Sequence, residues 1–469
     1  MGALFVVWFA GTLHEYASSY GPCRDRAFDP PEQIHIALGA TPDTVTITYQ
    51  TWDYPVLRTA NVRIGSSPTA LNRSVRGQTH LFTDPNSEHI NRTMHVVQIS
   101  NLSAATTYYY QVGDDAFGWN EELFSFKTIL DSDSMKDNLP QKFLVFGDMG
   151  TTDNLALQSF VYEAVYQHNV DALIHVGDLG YNLDSDQGRV GDEFMNQIQN
   201  VAAYTPYMVC PGNHELAHAF SHYSQRFRGQ PSNSGTVHTT SGKTPNNWYY
   251  SFNAGLVHFV AISTEIYFYS PHYIEKQYKW IEADLLEANE NRADTPWIVV
   301  YGHRPLYCST SNEGDCGVDA ELVRNGKYNE TTQQYEYGLE DLFYEQGVDL
   351  YFCGHEHHYE RMYDIYKGNT TKSTTDMPAT TYVVTAAAGS VQGKDGFGVL
   401  DNEWTARKTT NYSYTRFYVY NASHARLQQI TADLSLSNDQ NQVAIDQVWY
   451  VQHHHGPFDQ LDSNATDYL

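Results

Sequence analysis

The chain has 469 residues and carries 28 Lys and Arg against 55 Asp and Glu, a formal net charge of −27. That balance argues against nucleic acid and an anionic membrane surface as partners, and it repels an anionic substrate at long range, so attraction for one must be local. With 41% hydrophobic residues a large core is expected, and the length implies two or more domains.

Ala3 to Leu13 is apolar but too short to span a bilayer, and no later stretch is long and apolar enough to be a membrane helix. The segment resembles the apolar region of a secretory signal, with small residues at Ala17-Ser18-Ser19 as a cleavage zone, although no Lys or Arg precedes Arg24. Residues 1–20 are therefore read as a signal peptide; a buried strand is the poorer reading, because strand patterning resumes only near Gln33. Eight Asn-x-Ser/Thr sequons agree with secretion, to the extracellular space or a lysosome-like acidic compartment: Asn72, Asn91, Asn101, Asn329, Asn369, Asn411, Asn421 and Asn464. Of five cysteines, Cys308 and Cys316 lie in one loop and are the disulfide candidates. Cys210 and Cys353 end apolar runs and read as buried thiols, which leaves Cys23 unpaired.

Residues 30–128 read as an all-β domain of fibronectin type III kind. Ile34–Leu38, Thr44–Tyr49 and Tyr108–Val112 alternate or favour β-branched and aromatic residues, with turn signals at short spacing. A polar linker, Leu130 to Gln141, follows. From residue 140 to 395 strand-like runs alternate with helical periodicity, as at Phe160, Val161, Ala164 and Val165 and again in Tyr273–Asn289. Gly229 to Asn247 reads as a surface loop. Residues 396–455, with strands near Thr415–Tyr420 and Arg426–Ile430, read as a C-terminal segment packed on the catalytic domain.

Five apolar runs in the central region carry the chemistry, since each ends at a glycine followed closely by a metal-ligand side chain. Lys142–Phe146 precedes Gly147-Asp148, Ala172–Val176 precedes Gly177-Asp178, and Tyr207–Cys210 leads to Gly212-Asn213-His214. Trp297–Tyr301 precedes Gly302-His303, and Asp349–Cys353 precedes Gly354-His355-Glu356-His357. Loops beyond the carboxyl ends of strands converge in α/β sheets, and glycine lets the backbone come close to an ion. The donors are carboxylates, an amide oxygen and imidazoles, a set suited to Fe, Zn or Mn rather than Ca. Asp178 is best placed in motif order to bridge two ions, Asp148, Tyr181 and His357 completing one side and Asn213, His303 and His355 the other. Tyr181 as phenolate requires a strongly acidic ion such as ferric iron.

This ordered set resembles the purple acid phosphatases of the calcineurin-like metallophosphoesterase superfamily, and most of all their long-form animal members. The matching blocks are Gly147-Asp148-Met149-Gly150, Gly177-Asp178-Leu179-Gly180-Tyr181, Gly212-Asn213-His214-Glu215, Val300-Tyr301-Gly302-His303 and Gly354-His355-Glu356-His357, with further similarity in Val190–Phe194 and Arg304–Cys308. The resemblance implies an α/β fold, a βαβ metallophosphoesterase sandwich behind the fibronectin type III-like domain. It implies an acid phosphatase cleaving small-molecule or protein phosphomonoesters with a metal-bound hydroxide nucleophile. Fe(III) would be held by Asp148, Asp178, Tyr181 and His357, and a divalent Zn, Fe or Mn by Asp178, Asn213, His303 and His355. His214 would be catalytic, contacting phosphate or protonating the leaving alkoxide. Plant members carry a histidine pair shortly after the block that ends here at His303; this chain has Tyr307-Cys308-Ser309-Thr310 instead, so leaving-group protonation rests more on His214.

The alternatives are a phosphodiesterase or nucleotide hydrolase with two Mn or Zn ions, which has no need of Tyr181, and a secreted binding protein with a decayed site, which retention of all seven ligand types opposes. Around the motifs, His358 reads as a supporting or solvent residue, and Tyr359-Glu360-Arg361 as support for His357 or plain packing. Arg304 reads as a substrate contact or the partner of an acid, Glu215 as orienting His214 or capping a helix, and His453-His454-His455 as a surface tract. Oligomeric state does not follow from the sequence.

Overall fold

The central apolar runs become strands because successive residues find apolar cover on both sides. The computed structural model describes residues 30–52, 58–87, 89–130, 140–311, 314–398, 402–432 and 442–460. The signal segment, Cys23, most of the linker and Asn464 lie outside the described residues. No helix of the described residues is long and apolar enough to cross a membrane.

Two sheets face each other. The first runs Tyr207–Val209, Ala172–His175, Gln141–Phe146, Ser413–Val419, His424–Thr431, Ala444–Val451, with the first three strands parallel and the last three joined antiparallel. The second runs Tyr250–Ala254, Val257–Ala261, Trp297–Tyr301, Leu350–Cys353, Thr381–Thr385, Tyr359–Asp364, Thr405–Thr409, and is parallel through the three pairings from Val257–Ala261 to Thr381–Thr385. Phe143, Val145, Ile174 and Val176 share one core with Phe259, Val299, Phe352 and Val383 between the sheets; Phe143 and Phe259 meet edge to face at 4.9 Å. The alternate residues Leu144, Phe146, Ile298 and Val300 share a second core with helical Phe160, Ile198, Ile281 and Leu285. This is burial on both faces, which is why the parallel strands read as unbroken apolar runs.

The helix expected at Tyr273–Asn289 spans Ile274–Glu290. The stretch 229–247 is more than a loop: Thr236–Thr239 and Gly242–Pro245 form a hairpin. Its polar composition hid the strand, whose fully buried Val237 anchors it. The C-terminal segment does not merely lie on the catalytic region. Ser413–Val419 hydrogen-bonds along Gln141–Phe146, and Phe417 enters the core between the sheets.

The N-terminal region is a sandwich of a sheet Glu32–Leu38, Val45–Thr51, Asn91–Ile99, Gln78–Thr83 on one centred on Asn61–Gly65 and Thr107–Asp114. Alternation there predicts one wet face, yet every residue of Val45–Thr51 is buried, because the catalytic region covers its outer side. The helix Arg189–Ala202 packs on the neighbouring strand Glu32–Leu38, where Gln199 Oε1 accepts from Ile34 N at 2.8 Å, and just past the helix Ala203 O accepts from Tyr110 Oη at 2.7 Å.

A buried ion network crosses this junction. Arg92 Nη1 lies 2.9 Å from Asp84 Oδ2, Arg92 Nη2 2.7 Å from Asp192 Oδ2, and Arg226 Nη1 2.8 Å from Asp192 Oδ1. His222 Nε2 is 3.5 Å from Asp84. Burial opposes ionisation of Asp84, but His222 and Arg92 hold its carboxyl down at about 2. A depressed folded pKa gives Asp84 stability that is full above the ordinary value of 3.8 and is lost as pH falls through about 2, whereas burial holds His222 down at about 4, so its contribution weakens as pH falls from 6.5 towards 4. Asp192→Ala leaves the buried Arg226 guanidinium without a carboxylate and Arg92 with Asp84 alone, and is expected to cost roughly 3–5 kcal/mol in a denaturant titration. A loss under ~1 kcal/mol would show that the network does not brace the junction.

Candidate metal centre

Five loops meet at the carboxyl edges of the two sheets. Gln141–Phe146, Ala172–His175 and Tyr207–Val209 of the first sheet deliver Asp148, Asp178 with Tyr181, and Asn213. Trp297–Tyr301 and Leu350–Cys353 of the second deliver His303, then His355 and His357. All seven residues anticipated from the sequence come together. Asp148, Asp178 and His357 offer donor atoms within 4.8 Å of one another, and so do Asp178, His303 and His355; Asp178 belongs to both groups. Tyr181 Oη lies 2.9 Å from His357 Nε2 on the first side. Asn213 Oδ1 lies 3.0 Å from His303 Nε2 and 3.0 Å from His355 Nδ1 on the second.

The backbone bends hard to achieve this. Four of the seven are non-glycine residues with left-handed φ: Asp148 at 60°, Asp178 at 54°, Tyr181 at 56° and His355 at 72°. Each such position costs on the order of 1 kcal/mol or more and persists only where the surroundings enforce it. Two glycines matter for approach rather than for φ. A Cβ at Gly212 would collide with Asp178 Oδ1, and one at Gly354 with Asp148 Oδ2.

Electrostatics favours cations here. Asp148 and Asp178 are almost fully buried. Burial disfavours the charged form of His303, yet Asp178 and Asp148 push it up to about 10; the site takes up a proton where a cation would sit. Burial, followed by Asp148 and Asp178, drives the Tyr181 phenol far above its ordinary range, so a phenolate there needs a strongly charged ion at its oxygen. The far nitrogens of two imidazoles face oxygens: His303 Nδ1 donates to Val176 O at 2.9 Å, and His357 Nδ1 has the Asp395 carboxylate as an electrostatic neighbour at 3.7 Å, beyond hydrogen-bond distance. Mixed O and N donors, two carboxylates of which Asp178 is shared, and oriented imidazoles fit a pair of Fe, Zn or Mn ions.

Residues 31–128 match the family model described as purple acid phosphatase, N-terminal domain, residues 141–359 that of the calcineurin-like phosphoesterases, and residues 379–446 that of the iron/zinc purple acid phosphatase-like C-terminal region. Acid phosphatase type 7 of Danio rerio is 37% identical over 439 residues, covering 91% of this chain and 92% of that protein. The chain belongs to the purple acid phosphatase family. The Homo sapiens acid phosphatase type 7 is 36% identical over 431 residues, covering 90% and 91% respectively. The solved purple acid phosphatase PPD1 from yellow lupin (Lupinus luteus) seeds shares the fold, with a TM-score of 0.69 at 20% identity over 90% of this chain and 75% of that one.

In this purple acid phosphatase family member the residues around the motifs take definite places. His214 is half-buried, with Nδ1 2.9 Å from Asn182 Oδ1 and Nε2 3.3 Å from Gln392 Nε2. Asn182 and Gln392 escaped the sequence reading. Asn182 follows Tyr181 directly, which was the available signal; Gln392 is distant in sequence and had none. Asp395, whose carboxylate also accepts from His357 N at 2.7 Å, was missed for the same reason. Arg304 pairs with acids, lying 3.0 Å from Glu265 and 3.0 Å from Asp319. His358 is fully buried and faces Glu360 at 3.6 Å, so it is not a solvent residue. Tyr359 and Arg361 bond Asp446 rather than His357. In the histidine tract, His455 bonds Asp349 and Ala422 O, and His453 bonds Asp376. The disulfide Cys308–Cys316 is formed, and Cys210 and Cys353 are buried free thiols.

Glu215 does not orient His214. Its carboxylate accepts from the backbone N–H groups of Asp178 at 3.0 Å, Leu179 at 2.9 Å and Gly212 at 2.9 Å, tying two ligand loops together. Glu215→Ala leaves three buried donors without an acceptor, at about 1–3 kcal/mol each. It is expected to lower the thermal midpoint clearly, whereas His214→Ala leaves it nearly unchanged; equal midpoints for the two variants would refute this bracing role.

Proposed function

We propose that this chain is a secreted acid phosphatase hydrolysing phosphate monoesters at a centre of one Fe(III) and one divalent ion, Zn, Fe or Mn. The observation that carries the reading is the convergence of the seven donors on two clusters that share Asp178. Asp148, Asp178, Tyr181 and His357 would hold the iron, and Asp178, Asn213, His303 and His355 the divalent ion. The relatives named acid phosphatase type 7 support the activity class.

Such a pair, when bound, supplies Lewis acidity toward the phosphoryl oxygens and an activated water. The chain's own residues do the rest. Asp178 sits where its two oxygens serve both clusters, and His303 turns Nε2 inward because its Nδ1–H is committed to Val176 O. His214 donates Nδ1–H to Asn182 Oδ1, which turns Nε2 toward the Gln392 side chain. From there Nε2 contacts a phosphate oxygen or, as imidazolium, gives its proton to the departing alkoxide. The local positive charge of the centre offsets the repulsion expected from a −27 chain.

Secretion draws support from the Cys308–Cys316 disulfide. Glycosylation draws support from the sequon positions: Asn72, Asn101, Asn369, Asn411 and Asn421 are exposed, and Asn91 and Asn329 half-buried.

The test is metal content with a visible spectrum of the purified protein. One iron and one divalent ion per chain are expected, with a broad tyrosinate band that disappears in Tyr181→Phe. Two Zn or two Mn ions in a colourless protein would favour a phosphodiesterase or nucleotide hydrolase instead. Asp178→Asn should abolish turnover while the chain is still secreted; full turnover in that variant would sink the assignment.

A further inference from the structure

His355 presents its two ring nitrogens to opposite sides. Nδ1 points into the donor cluster, 3.0 Å from Asn213 Oδ1 and 3.2 Å from His303 Nε2. Nε2 points outward, 3.5 Å from Asp315 Oδ1 and 3.0 Å from Arg304 Nη1. An imidazole that gives one nitrogen to a cation keeps its proton on the other, and that N–H needs an acceptor. A guanidinium has none to offer, whereas a carboxylate has.

We propose that Asp315 is the positioning residue of His355: with a divalent ion on Nδ1, the Asp315 carboxylate accepts the Nε2 proton and fixes the ring. Arg304 then serves the acids around it. It lies 3.7 Å from Asp315 Oδ1 and is anchored by Asp319 and Glu265, each at 3.0 Å. It therefore holds Asp315 in place without competing for the proton.

The disulfide explains why Asp315 stands there. Cys316 is its chain neighbour, and the bond to Cys308 fastens that point to the segment that leaves the His303 strand. Thr310 adds to the fastening, with Oγ1 2.9 Å and N 3.4 Å from Cys316 Sγ. The loop that replaces the plant histidine pair is thus assigned to the divalent-ion side of the centre. The other two imidazoles do not use it, since His303 relies on Val176 O and His357 on Asp395. Asp315 and Asp395 thereby form a crossed pair, one for each ion.

The inference rests on reading the site as a two-cation centre, and one titration separates the two ideas. The full-length protein, loaded with iron and zinc, is dialysed against graded chelator, and each metal is followed by elemental analysis with the tyrosinate band as a second readout. Asp315→Ala is expected to loosen zinc about 10–100-fold with iron and the band retained, and Asp395→Ala to loosen iron with zinc retained. Asp315→Glu should recover part of the zinc affinity. The Asp315 side chain is only partly covered, at 25% exposure, so its loss should spare the fold; the double variant Cys308→Ser/Cys316→Ser should weaken zinc with Asp315 still present. Equal zinc retention in wild type and Asp315→Ala overturns the inference and leaves the two-cation reading standing. Equal loss of both metals in that variant also overturns it, by revealing a general structural effect. A wild type that holds no metal overturns the two-cation reading itself.

Discussion

Two carboxylates, Asp148 and Asp178, are sunk at the meeting edge of two sheets, and the surrounding structure is arranged around their charge. Buried anions must be compensated, because transfer from water costs several kcal/mol per ion even after relaxation. His303 rises to about 10 beside them, and the Tyr181 phenol is driven upward by burial first and then by the same charges. Backbone N–H groups add what they can: His355 N reaches Asp148 Oδ2 at 3.1 Å, and His214 N reaches Asp178 Oδ1 at 3.1 Å. Neither histidine protonation nor N–H donation explains a phenol aimed at the same spot. A pair of cations explains all three.

This arrangement needs rigid loops, and the fold supplies them in layers. Glu215 laces the Asp178 and Gly212 loops together through three backbone donors. The left-handed positions at Asp148, Asp178, Tyr181 and His355 are strained, so they hold only because both sheets clamp the strands that lead into them. Further out, the segment after Tyr181 runs into the helix Arg189–Ala202, whose Asp192 is pinned by Arg92 of the N-terminal sandwich and by Arg226. The N-terminal region contributes none of the seven donors; it steadies the helix next to the Tyr181 loop.

The ligand loops were legible in the sequence because their signal is local. An apolar run buried on both faces, a glycine at its end and a donor just beyond are all readable within ten residues, and five repetitions in order left little freedom for the site. The all-β start, the α/β centre and the helix at Ile274–Glu290 followed from periodicity in the same way. Where polar composition and strand structure disagreed, as at Thr236–Pro245, the reading failed because one buried valine is too small a signal.

The sequence by itself determined the strand ends, the identity of the donors and their order, since these depend on neighbours along the chain. Tertiary structure alone decided which groups stand behind them. Asp395 beneath His357, Asp315 beside His355 and Gln392 against His214 arrive from loops far away in sequence, and no periodicity marks them. It also decided that Val45–Thr51 is dry on both faces and that Ser413–Val419 completes the first sheet. Such facts depend on which surfaces meet in space, and hydrophobic patterning records only that a residue is covered, not by what.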